Sequence, residues 1–107
     1  MEPKPPKKLL EQAARDISGA FATRLCAIGV ELNLFQEIEK SGPISSLELA
    51  KLTNLNERYV REWMYGTALA GYIDFDKDSR IVSLNEDQKL LFVDLGGRFS
   101  QHGAFQV

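Results

Sequence analysis

Few side chains in this sequence have the chemistry to attack a bond, ligate a metal or carry a proton. There is one cysteine, Cys26, and one histidine, His102. A lone thiol excludes an internal disulfide and a thiolate-rich metal site, and a lone imidazole argues against a histidine-built zinc site. Cys26 falls beside a run of apolar residues, the setting of a buried structural thiol rather than a nucleophile. His102 sits in a glycine-flanked stretch with no patterned partner. Ser45 and Ser46 have a complete explanation as helix caps, because Ser45-Ser46-Leu47-Glu48 has the capping-box spacing.

One string imitates a cofactor grip. Phe92-Val93-Asp94-Leu95-Gly96-Gly97 has the look of a strand followed by a glycine turn. Such a turn works at the edge of a parallel sheet with a helix after it. A βαβ unit needs about thirty residues, whereas ten follow Gly97, and Arg98 stands where a third glycine would help. No catalytic, cofactor-binding or metal-ligating residue is therefore expected here.

The remaining chemistry is that of basic side chains meeting a polyanion. Arg58 and Arg61 fall on one predicted helix, and Lys77 and Arg80 fall around a predicted hairpin tip. These four are the contact residues of a DNA-reading alternative. Each group is matched by acids: Glu57 and Glu62 on the helix, Asp74, Asp76 and Asp78 on the hairpin. The whole chain has 107 residues and a formal net charge of −2. Nucleic-acid modules usually carry a positive excess that displaces counterions, so the balance argues against DNA.

The elements that must position these residues follow from caps, breakers and periodicity. Three of the four prolines lie in residues 1–6, an extended lead-in. Leu10, Ala13, Ala14, Ile17, Phe21, Leu25 and Ile28 then recur at helical spacing to about Leu32. This helix offers more apolar side than a small domain covers alone, which predicts helix-to-helix dimerisation through Phe21 and Leu25. Asn33 marks a cap and hinge. A short second helix over 34–40 should bury Phe35 and Ile38, and Ser41-Gly42-Pro43 stops it. Ile44 can supply one β bridge. The third helix starts after Ser45 and is expected to bury Leu47, Leu49, Ala50 and Leu52, ending near Asn54.

Asn56 caps the fourth helix, which runs to about Ala70 with Gly71 at its end. Val60, Trp63, Met64, Thr67, Ala68 and Gly71 form its inward face, with Tyr59 and Ala70 beside it. The outward face carries Glu57, Arg58, Arg61, Glu62, Tyr65 and Leu69. Tyr65 and Leu69 suit burial against protein better than a wet groove of DNA. Residues 72–75 and 80–84 read as a hairpin around a polar turn, and Asn85 can cap a last short helix to Phe92. The order predicts a mainly α winged helix-turn-helix over 7–92, with 93–107 as linker. No apolar run is long enough to span a bilayer, and the first residues lack the pattern of a secretory signal, so the cytoplasm is the expected address.

The stretch SGPISSLELAKLTNLNERYVREWMYGTALAGYIDFD resembles the N-terminal winged-helix domain of a group of S-adenosylmethionine-dependent methyltransferases, O-methyltransferase-like. Its most specific part is ERYVREW, residues 57–63. Leu49, Ala50 and Leu55 before it, and Ala70, Gly71 and Tyr72 after it, match as well. ELNLFQEIEKSGPIS is similar to the segment that precedes it in that group, with Asn33 in place of the usual glycine. The resemblance covers residues 18–84.

It implies a domain that performs no chemistry, pairs subunits, and covers the substrate pocket of a following Rossmann-like domain. S-adenosylmethionine would belong to that catalytic domain and not to these residues, whether the chain is a fragment or a free-standing relative. The glycine pair Gly96-Gly97 then corresponds to the linker. The expected partners are a second copy and the catalytic domain, with Phe21, Leu25, Tyr65 and Leu69 as interface residues and no membrane. The alternatives are a winged-helix transcriptional regulator and, more generally, a protein-interaction module.

Overall fold

The computed structural model of the chain describes residues 6–94. The lead-in 1–5, Gly96-Gly97, His102 and most of the predicted linker 93–107 lie outside these residues. The elements run α1 (Lys7–Glu31), α2 (Leu34–Ser41), α3 (Ser46–Thr53), α4 (Glu57–Leu69), β1 (Asp74–Asp76), β2 (Ile81–Ser83) and α5 (Glu86–Lys89), followed by a π turn over Leu90–Asp94. This is the mainly helical winged helix-turn-helix that the sequence predicts.

The caps set the element boundaries. Asn33 adopts the left-handed conformation at φ 59°, so α1 ends and α2 begins in a new direction. Asn54 does the same after α3 at φ 57°. The Asn56 side chain accepts hydrogen bonds from the backbone N–H groups of Arg58 and Tyr59, filling two orphan donors at the start of α4. At Ser45 the predicted box is half formed. Its hydroxyl accepts from the Glu48 N–H at 3.2 Å. The Glu48 carboxylate accepts a hydrogen bond from the Ser45 hydroxyl rather than from the Ser45 backbone N–H. The complete capping box is at Asn85 and Gln88.

The wing is β1 against β2, antiparallel, with Phe75 opposite Val82. Ile44 joins as the predicted single bridge, exchanging both backbone hydrogen bonds with Val82. The first strand starts two residues later than Tyr72. The Gly71 N–H donates to Ala68 O and the Tyr72 N–H to Thr67 O, a Schellman closure with Gly71 at φ 88°. Tyr72 is thus spent on ending α4 and cannot enter the ladder.

The core gathers Leu34, Phe35 and Ile38 from α2, Leu49 and Ala50 from α3, and Val60, Trp63 and Met64 from α4. Ile44, Ile73 and Val82 close it on the wing side, and Phe92 stacks on Phe35 with ring centroids 4.0 Å apart. The expected burial of Leu47 and Leu52 is overturned, since they are 54% and 56% exposed. On two turns of helix, Leu49 and Ala50 take the inward arc, and Leu47 and Leu52 flank it on either side. Phe92-Val93-Asp94 is helical, which removes the strand a cofactor grip would need.

The first helix enters this core only at its C-terminal third, where Cys26, Ala27 and Gly29 are buried. A β-carbon on Gly29 would lie 2.3 Å from Phe35 and 2.6 Å from Trp63, so only glycine lets α1 approach this closely. Gly19, by contrast, meets nothing within 4 Å. Gly29→Ala should lower stability by about 1–3 kcal/mol through overpacking. Gly19→Ala should raise it by up to about 1 kcal/mol through helix propensity alone. Urea unfolding of both variants checks this, with opposite shifts of midpoint expected.

Candidate functional site

The outward arc of α4 neutralises itself. Arg58 Nε lies 3.4 Å from a Glu62 carboxylate oxygen, four residues on. Arg61 Nε lies 3.9 Å from Glu57. Exposed pairs of this kind contribute only a few tenths of a kcal/mol to stability. Their effect on recognition is larger, because each guanidinium offered to a phosphate or a guanine comes with its own carboxylate. The Glu57 carboxylate also accepts the Ser46 hydroxyl and so ties α4 to the start of α3.

On the wing the acids accept from neutral donors. The Asp76 side chain accepts from the Asp78 N–H and the Ser79 hydroxyl. Its backbone carbonyl accepts from the Arg80 N–H at 2.7 Å. Arg80 is held at φ 61° by this turn. Asp74 accepts from the Gln88 amide nitrogen, which also donates to Gly71 O. Arg58, Lys77 and Arg80 are all exposed and Arg61 is partly exposed. They form two small groups, each set among acids.

Three of the four predicted interface residues meet in one place. Phe21, Leu25 and Leu69 line a groove of about 350 Å³ between α1 and α4, with Ser18, Ala22, Gly66 and Ala70 as its remaining walls. A smaller hollow of about 180 Å³ follows, lined by Leu25, Ile28, Tyr59, Glu62 and Trp63. Leu25 belongs to both, so the two form one track along α1 and α4. Leu69 is 91% exposed and Phe21 66%.

Tyr65 stands apart from this track. Its ring meets Phe75 edge-on at 5.4 Å and joins α4 to the wing. Leu25 has a double role: it is partly buried and packs on the core. Its carbonyl accepts the Trp63 indole N–H at 2.8 Å. A β-carbon on Gly66 would lie 2.8 Å from the Leu25 side chain. The small walls of the groove escaped the sequence reading. Gly66 was the available signal, since a glycine inside a helix costs about 1 kcal/mol against alanine and calls for a packing reason.

Among the described residues no group of three His, Cys, Asp or Glu side chains can hold a metal ion, and no helix among them is long and apolar enough to cross a membrane. Cys26 is 2% exposed, and burial pushes its thiol up to about 11.

A helix-turn-helix with a hairpin wing and an additional long helix in front defines a winged helix-turn-helix domain. Residues 20–92 match the family model described as the Rv2258c-like winged HTH domain, and the chain belongs to that family. No curated protein matches the chain.

The Cys26 environment yields a direct check. At pH 8 the folded protein holds a neutral, covered thiol, so a disulfide reagent should modify it only as fast as the domain opens. Because the folded thiol is the weaker acid, stability should be constant below the unfolded value near 9 and fall as pH rises toward 11. Cys26→Ala should abolish that fall. Thermal melts between pH 7 and 11 measure it.

Proposed function

We propose that this chain is the non-catalytic winged-helix domain of an S-adenosylmethionine-dependent methyltransferase, which pairs with a second copy and covers the substrate pocket of a catalytic domain. The carrying observation is the character of the outward surface. Leu69 is 91% exposed on a helix whose arginines are each paired with a glutamate. An apolar side chain in a charge-neutral setting gains by burial against polypeptide and gains nothing from phosphate. The ERYVREW segment, which resembles that methyltransferase group, lies on this same helix and supports the assignment.

A winged helix-turn-helix family name fits a DNA reader equally well, and that is the competing outcome of the test. The chain is titrated with mixed-sequence duplex across a range of salt, and separately with S-adenosylmethionine in a calorimeter. No mobility shift at low salt and no heat of cofactor binding are expected. A shift that weakens steeply with salt and disappears in Arg61→Glu would replace the proposal with the regulator. Stoichiometric micromolar binding of S-adenosylmethionine would overturn the non-catalytic assignment. The reading frame beyond Val107 tests the enzyme link: a strand followed by a glycine-rich turn is expected, and a frame without either counts against it.

A further inference from the structure

We propose that Ser18-Gly19 is a hinge in α1, and that residues 7–17 form a helical strap which bends at it toward its own apolar face. The device goes beyond the function proposed above and operates with or without a catalytic partner.

The two ends of α1 are held differently. Every residue from Lys7 to Phe21 is exposed. Behind that point the helix is pinned. The Leu25 carbonyl accepts the Trp63 indole N–H, and Cys26, Ala27 and Gly29 are buried. The strap is a good helix by composition, since residues 9–15, LLEQAAR, are all strong helix formers. Its weak point is where it meets the pinned end. Ser18-Gly19 joins two poorer formers, and a Ser/Gly pair is one of the few places where helices kink sharply.

Close packing accounts for the other helical glycines but not for this one. A β-carbon on Gly29 or Gly66 would lie within 2.8 Å of a side chain, whereas one on Gly19 meets nothing within 4 Å among the described residues. What Gly19 contributes is backbone freedom. A second feature acts at the same carbonyl. The Thr23 hydroxyl donates to Gly19 O at 2.9 Å, an acceptor that the helical ladder already uses. Back-bonding of this kind loosens the ladder and bends helices.

The direction of the bend follows from the wheel. At about 100° per residue, Gly19 falls about 180° from Leu10 and about 160° from Ile17 and Phe21. Thr23 lies one turn on, on the same side as Gly19. A ladder that lengthens on the Gly19–Thr23 side makes the helix convex there, and the concave side is the apolar stripe. Phe21 of that stripe lines the same groove as Leu69. The strap therefore swings toward the side of α1 on which Leu69 stands. Lys8 is eleven residues from Gly19, about 16 Å along the helix, so a kink of about 30° moves it sideways by about 8 Å.

Double electron–electron resonance between spin labels at Lys8→Cys and Glu62→Cys, in a Cys26→Ala background, reads this motion. Glu62 belongs to the pinned body, is exposed, and lines the hollow beside α1. Dilution with unlabelled chain restricts the signal to distances within one copy. The expected distribution contains a long component from the straight helix and a shorter one from the bent helix. Gly19→Ala/Thr23→Val, which changes only exposed positions, should lose the shorter component and keep the longer. One narrow component at the same distance in both backgrounds would reveal a rigid rod and overturn the hinge. Equal breadth in both would reveal fraying of the strap, and that would overturn it as well.

Discussion

The fourth helix is held where it is by its contact with the first, and the rest of the domain depends on that contact. The Trp63 indole reaches across to donate to the Leu25 carbonyl at 2.8 Å. Two glycines make the approach possible, Gly29 beneath the Phe35 and Trp63 rings and Gly66 beneath Leu25. Remove that closeness and Trp63 loses its acceptor while Phe35 loses the ring it meets edge-on at 5.2 Å. A buried N–H without a partner costs about 1–3 kcal/mol.

Function follows from what this junction leaves outside. It directs the inward arc of α4 into the core and turns Leu69 outward with the Arg58–Glu62 and Arg61–Glu57 pairs. Those pairs contribute little to stability, yet they decide the sign of the surface. A helix with unpaired arginines at the same positions would present a cationic ridge. This one presents a neutral ridge with an apolar end. The wing adds no cationic excess, since Lys77 and Arg80 stand among Asp74, Asp76 and Asp78.

Much of the fold was legible because short-range chemistry decides it. Asn33, Ser45, Asn56 and Asn85 are polar residues that stop or start helices through their own side chains or a positive φ, and each acts where the sequence places it. The bridge at Ile44 and the Arg–Glu spacing on α4 are local in the same sense. What escaped the sequence depends on depth or on distant partners. Leu47 and Leu52 look like core residues by type but fall outside the narrow arc of a two-turn helix. Gln88 looks like a surface residue, yet it bonds Gly71, Asp74 and Asn85 from one buried amide. Tyr65 is exposed on the outward face as the sequence predicts, but its edge contact with Phe75 on the wing has no local signal.

Amide hydrogen exchange across α1, followed as a function of protein concentration, tests the central claim most directly. Among the described residues nothing is layered over the helical backbone from Lys7 to Phe21, so the account assigns its protection to another polypeptide. The account predicts strong protection of this segment at high concentration, lost on dilution, while the amides around Trp63 stay protected throughout. Exchange of the segment near the free-peptide rate at all concentrations, together with new protection of α4 when duplex DNA is added, would contradict it.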